Sequence, residues 1–223
     1  MSGYKFKLLV IDNAKNPRAL ARMDKTTLPV HYRHSRNAWM TADIFREWFI
    51  DHLIPESRQF FGEVPLQFLL DNCSAHPKDL DDMSPHIFVK FLPANTTSLI
   101  QPMDQAVIYF LKSHQKKKFY QKLFEYCENN PDDLDPFKSW LKTYTIKEAM
   151  YDLHDAWEAV PTSTLQKSFN KVFDKDKYLG FTQETITEFD FEGFNEEEIL
   201  DREFEANLQE IQTTLSQIRL KGS

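Results

Sequence analysis

PLQFLLDNCSAHP at residues 65–77 and HIFVKFLPANTTSLIQPMDQAVI at 86–108 carry the reading of this chain. Each opens on a short apolar run of strand length, which argues for a buried strand. Pro65–Leu70 delivers Asp71 at its carboxyl end, and His86–Leu92 is closed by Pro93. Asn72–Ser84 and Thr96–Pro102 are polar and read as loops. Met103–Phe124 then reads as a long helix, apolar at Val107, Ile108, Leu111, Phe119 and Leu123. Asp104 falls in the first turn of that helix, where the dipole favours a carboxylate. An acid ending a strand and another on a nearby helix can converge on one divalent cation. Two-metal phosphoryl chemistry needs several such oxygens, because its ions sit roughly 3.5–4 Å apart. Spacing alone does not separate this from ordinary acids that end strands and cap helices.

Working outward, Tyr4–Ile11 (YKFKLLVI) alternates and then turns fully apolar, a strand entering a core. Asp12–Asn16 is turn chemistry, and Arg18–Tyr32 has no sustained period and reads as extended segments and loops. Ala42–Phe49 places Ile44, Phe45, Trp48 and Phe49 on one helical face, with Thr41 as N-cap and Pro55 near the helix end. Residues 129–136 form a linker. Lys147–Ala159 and Ser163–Phe173 read as helices separated by Pro161. Gly180–Phe194 is acidic and irregular. Asn195–Leu220 is amphipathic through Leu200, Phe204, Leu208, Ile211, Leu215 and Ile218, opened by a capping-box-like Asn195 and Glu198. The expected organisation is a catalytic-type core at 4–128, a helical part at 129–178, and an acidic segment with its helix at 179–223.

The 223 residues are 41% hydrophobic and 14% aromatic, enough for a real core. No long uncharged apolar run and no signal-peptide pattern are present, so a soluble intracellular protein is expected. Cys73 and Cys127 form no C-x-x-C pair, which argues against structural zinc and excludes a disulfide framework. The net charge of −7 is unevenly spread: of 27 Lys+Arg and 34 Asp+Glu, 17 and 14 lie through Glu128, leaving 10 and 20 beyond. A DNA-facing surface therefore suits the first part and not the second.

The order strand, Asp-Asn-x-x-x-His, strand, Leu-Pro-x-Asn-Thr-Thr-Ser, Gln-Pro-Met-Asp-Gln resembles the DDE-1 domain of pogo/Tigger-type transposases and their domesticated relatives, among them the Tigger-derived proteins, jerky and centromere protein B. LVIDNAKNPRAL (9–20), LPVHYRHSRNAWMT (28–41) and DLHDAWEAV (152–160) resemble the same group. The resemblance runs from about Phe6 to Phe173. It implies an α/β RNase H-like fold followed by C-terminal helices, metal-dependent DNA strand cleavage and transfer with Mg²⁺ or Mn²⁺, DNA as partner, and the nucleus as location. By it Asp71 matches the second catalytic and metal-binding Asp and Asp104 the third. Asn72 and His76 belong to the motif around Asp71. His76 and Asn95 are expected to shape the loop, and Gln101 and Gln105 flank the third acid in structural or DNA-contacting roles.

Departures from the family pattern set further expectations. The family's first Asp and its first two strands precede everything seen here, so the fold is read as an incomplete RNase H-like sheet. Tyr4–Ile11 resembles the third strand, and Asp12 is not the missing acid displaced. Because the family's strand order is 3-2-1-4-5, Tyr4–Ile11 and Gln67–Leu70 would pair directly, split into separate sheets, or leave a gap for a second molecule. A marginal or sticky chain is the expected result. Ala106 stands where the family has Gly, a change a helix would welcome. Three functions remain open: a transposase-derived, nucleic-acid-binding remnant without cleavage activity that binds Mg²⁺ poorly; an active strand-transferase when part of a longer chain; and a protein-interaction module with a partner or self-association through 195–220. His31 and His34 (H-x-x-H) read as loop residues, Lys116–Lys118 as a solvated helix face, and Trp39, Trp48, Trp140 and Trp157 as core anchors.

Overall fold

The computed structural model describes residues 3–169, within a unit spanning residues 1–174. The readings of 180–194 and of the helix at 195–220, with any association through it, lie outside the described residues. So do residues 170–173 of the second C-terminal helix.

Among the described residues two separate parallel ladders form the sheet structure. Strand β1 (Leu9–Asp12) pairs with β2 (His31–His34), Leu9 opposite His31. Strand β3 (Leu66–Leu70) pairs with β4 (Ile87–Phe91), Leu66 opposite Ile87. The mixture of helices and small sheets is α/β, and no ladder joins the two pairs. The strand expected at Tyr4–Ile11 begins only at Leu9. Upstream, side chains claim much of the backbone: the Lys7 N–H donates to Glu56 Oε1 at 3.1 Å and the Trp157 indole N–H donates to Phe6 O at 3.0 Å. Strand β2 corrects the reading of His31 and His34 as loop residues. Its HYRH pattern has only Tyr32 buried, so it pairs through β1 with little apolar signal of its own.

Helix α1 (Ala42–Trp48) starts as expected, with Thr41 Oγ1 accepting the Ile44 N–H at 3.3 Å. Pro55 does not end it. A π-helical turn at Phe49–Leu53, with the Ile54 N–H reaching Phe49 O, carries the chain into α2 (Ile54–Phe61), where Pro55 occupies the first turn. A helix start is where a missing N–H costs least. Trp39 is no core anchor: it is 76% exposed in the turn before α1, whereas Trp140 and Trp157 are buried. Just beyond the stretch read as a linker lies α5 (Pro136–Thr143), a helix the sequence reading left unassigned, announced by Asp135 as N-cap and Pro136 behind it. Helices α6 (Ile146–Ala159) and α7 (Thr162–Ser168) follow, α6 opened by a full Thr145–Glu148 capping box. No helix among the described residues is long and apolar enough to cross a membrane.

Three cores result. Phe45, Phe49, Leu53 and Ile54 press onto Leu70, Leu80 and Ile87. Leu20, Leu28, Val30 and Tyr32 close over Met150 of α6. Val107, Trp157, Val160 and Leu165 form the third. Phe6 packs on the first, and Leu8 packs on both others. Two buried polar residues, His86 and Asp152, are paired across elements. His86 (3% exposed) lies 3.1 Å from Ser84 Oγ and 3.5 Å from Ser57 Oγ. Asp152 accepts from Lys122 Nζ at 2.5 Å and from the Tyr144 hydroxyl at 3.0 Å.

The chain after β4 differs most from expectation. A short helix α3 (Thr97–Ile100) replaces part of the loop, and a 3₁₀ turn (Pro102–Asp104) follows. Ala106 then turns left-handed (φ 68°), and the long helix α4 (Val107–Asn129) begins only after it. Asp104 therefore lies before α4 and not in its first turn, where the helix dipole would have favoured it. Ala106 is no helical alanine either: its Cβ opposes the conformation it adopts. The left-handed penalty of about 1–2 kcal/mol exceeds the roughly 0.5–1 kcal/mol entropic cost of glycine, so Ala106→Gly is expected to stabilise the chain by about 0.5–1 kcal/mol. A raised urea midpoint at unchanged slope would show it, and a lowered midpoint would contradict it.

His31 supplies a second expected outcome. Its ring stacks on His52 (3.8 Å between centroids), and its Nε2 is buried with no hydrogen-bond partner among the described residues. Burial, then the neighbouring His52, Lys7 and Arg33, push its pKa down from 6.5 to about 4. The unfolded chain thus takes up a proton that the folded chain refuses, and stability falls as pH drops from 6.5 towards 4. His31→Gln is expected to flatten that slope in equilibrium unfolding; an unchanged slope would contradict the assignment.

Candidate functional site

Strand β3 ends at Leu70, 7% exposed, whose carbonyl accepts the Leu92 N–H at 2.7 Å. Asp71 follows directly, so the ladder and the core beneath Leu70 set where its carboxylate starts. Asp71 Oδ1 accepts the Cys73 N–H at 3.0 Å and lies 2.9 Å from His76 Nδ1. The same nitrogen is 3.2 Å from the Asp71 carbonyl. Asn72 turns away from the carboxylate: its Nδ2 donates to Leu92 O at 2.5 Å, tying the loop to the chain after β4. Lys78 Nζ reaches Asn72 Oδ1 at 3.4 Å and sits 3.5 Å from the Phe91 ring centroid.

Asp104 comes to the same place from the 3₁₀ turn. The residue is open to solvent on one side, yet its carboxyl pKa is raised, first by displaced water and then by the negative charge of Asp71; Lys112 opposes the shift. Two like charges that perturb each other are near neighbours. Asn95 is left-handed (φ 62°) in the turn after β4. Gln101 carries a buried Oε1 without a hydrogen-bond partner among the described residues, and its carbonyl accepts the Asp104 N–H at 3.1 Å. The Gln105 N–H donates to Pro102 O at 3.1 Å, closing the turn.

Three participants escaped the sequence reading. Phe45, read only as core, lies 4.6 Å from the His76 ring centroid. The Cys73 N–H is a backbone donor with no residue-type signature. Lys112 was hidden because the register of α4 relative to Asp104 depends on the break at Ala106.

As a cation site the donor set is partial. Two carboxylates that repel each other, one partly desolvated, suit a single Mg²⁺ or Mn²⁺ that keeps several waters. Among the described residues no group of three or more His, Cys, Asp or Glu is arranged to hold a metal.

A family model described as DDE superfamily endonuclease matches residues 2–169. Human Tigger transposable element-derived protein 7 is 31% identical over 237 residues, covering 98% of this chain and 41% of that protein. Human Jerky protein homolog is 29% identical over 76% of this chain and 29% of its own length. CENP-B homolog protein 2 of Schizosaccharomyces pombe is 29% identical over 54% of this chain and 24% of its own. The chain thus spans about two-fifths or less of these relatives. No solved structure gives a significant match.

The coupling of the two acids is directly measurable. Asp71→Asn removes the charge that raises the Asp104 carboxyl, so the Asp104 pKa is expected to fall in a carbon-detected NMR titration. An unmoved Asp104 would separate the two residues.

Proposed function

The chain belongs to the DDE superfamily endonuclease family, as a transposase-derived domain, and on that premise we propose that it binds DNA through phosphate contacts and does not cleave it by itself. The observation that carries this reading is the approach of Asp104, on the turn before α4, to Asp71 at the end of β3, near enough for the Asp71 charge to help raise the Asp104 carboxyl. In the proposed site these carboxylates hold one Mg²⁺ or Mn²⁺ and leave part of its coordination to water. A cation held there supplies Lewis-acid polarisation of a phosphodiester oxygen. The chain's own residues do the rest. Asp71 and Asp104 fix the position, and cations on α4 attract the nucleic-acid backbone. Lys118 and Lys122 are tied to Asp155 and Asp152, whereas Lys112, Lys116 and Lys117 are exposed on the same helix.

Cleavage by the two-metal route needs a bridging acid that this pair lacks. In a longer chain supplying a third carboxylate, the same pair would complete a strand-transfer site. That alternative is favoured by the 41% share of the human Tigger relative that this chain spans. The finer fold reading is an RNase H-like sheet whose first two strands would lie between β1 and β3. The split into two parallel ladders supports it. The helical part at 129–178 is taken as belonging to the same region, and a nuclear location is proposed from the relatives.

A nicking assay with Mg²⁺ and Mn²⁺, run beside DNA-binding titrations at several salt concentrations, tests the proposal. Binding without nicking is expected, and the Lys116→Ala, Lys117→Ala double variant should weaken binding and reduce the salt slope by about 2. Metal-dependent nicking abolished by Asp71→Ala or Asp104→Ala would overturn the reading in favour of the active enzyme.

A further inference from the structure

We propose that His76 is a positioning residue that leaves Asp71 a single oxygen, Oδ2, for a divalent cation and so sets which cation the site prefers. The inference rests on the cation reading of Asp71 and Asp104 given above, and adds to it the geometry of one carboxylate.

Nδ1 of His76 faces Asp71 Oδ1 at 2.9 Å and Asp71 O at 3.2 Å. Both atoms only accept, so Nδ1 carries the hydrogen; a bare lone pair there would face two others. Oδ1 also accepts the Cys73 N–H at 3.0 Å. Two donors occupy the two lone pairs of Oδ1, and no described residue bonds Oδ2. The carboxylate can therefore neither rotate freely nor offer both oxygens together. Its brace is rigid because the His76 ring lies against Phe45, 4.6 Å between centroids at 52°, and Phe45 is 5% exposed in the core beneath β3 and β4.

The consequence is selectivity. Ca²⁺ accepts bidentate carboxylates and flexible geometry at 2.3–2.6 Å, whereas Mg²⁺ demands near-octahedral geometry at about 2.0–2.1 Å with one oxygen per carboxylate. An Asp71 held to one oxygen favours the smaller ion. A side chain that merely filled space beside Phe45 would not influence that choice. A ring hydrogen bonded to a ligand's other oxygen does, by fixing its direction.

The test is Mn²⁺ titration of the full chain by electron paramagnetic resonance, with Ca²⁺ as competitor and thermal melts to follow folding. His76→Phe keeps the ring on Phe45 and removes the N–H; His76→Asn places an amide N–H near the Nδ1 position. Mn²⁺ affinity is expected to weaken about tenfold in His76→Phe, with loss of its preference over Ca²⁺, and to return to within about threefold in His76→Asn. Unchanged Mn²⁺ affinity and preference in His76→Phe, or His76→Asn behaving like His76→Phe, overturns the proposal while the cation site stands. No saturable Mn²⁺ binding by the unsubstituted chain overturns the cation reading itself. Two-bond ¹H–¹⁵N spectra of the unsubstituted chain give a readout independent of how the variants fold. The Nδ1–H tautomer is expected at His76, and the Nε2–H tautomer would sink the idea.

Discussion

The segment Phe6–Leu8 is the tie on which the rest depends. Two parallel ladders that no strand pairing joins among the described residues must be held together by something other than a continuous sheet. Phe6 enters the core under β3 and β4, and Leu8 enters the two cores formed with α4, α6 and α7. The backbone between them is bonded from both sides, by Glu56 of α2 and by the Trp157 indole of α6. Buried backbone groups that find no ladder must find side chains, because leaving them unpaired costs about as much as a lost hydrogen bond. A segment resembling a strand in its apolar content thus serves as a strut.

The candidate site inherits its order from the same packing. Leu70 is locked by the core and by the Leu92 N–H, so Asp71 leaves β3 in a fixed direction. The core then acts a second time through Phe45 and the His76 ring. Asp104 has no such brace. It stands on a tight turn ended by a left-handed alanine, open to solvent on one side and repelled by Asp71. One acid is held by the core and the other by a strained turn, and a cation between them would relieve the repulsion that their placement creates.

Much of this was legible in the residues. Apolar runs bounded by Pro65 and Pro93 marked β3 and β4, and Thr41 marked the start of α1. The motif that suggested family membership also contained both acids. The misreadings have physical causes. Strand β2 presents His31, Arg33 and His34 around one buried Tyr32, so its pairing rests on β1 and leaves no alternation to detect. Pro55 marked a helix end by rule, but a π-helical turn shifted the register so that the proline opened a new helix. Trp39 looked like core by residue type, yet it precedes α1 in a turn and lies largely in water. Asp135–Pro136 was a helix-start signal hidden in a run of acids and prolines.

What the sequence determined by itself was local: where strands and helices start, which residues carry negative charge, and the motif order that marks the family. Those features depend on side-chain chemistry and on neighbours a few residues away. Only the tertiary structure decided that Asp104 lies before α4, that its charge meets that of Asp71, and that His76 occupies one oxygen of its partner acid. Each of these depends on where separate elements come to rest against one another. That outcome is set by the summed packing of three cores, and no single stretch of residues encodes it.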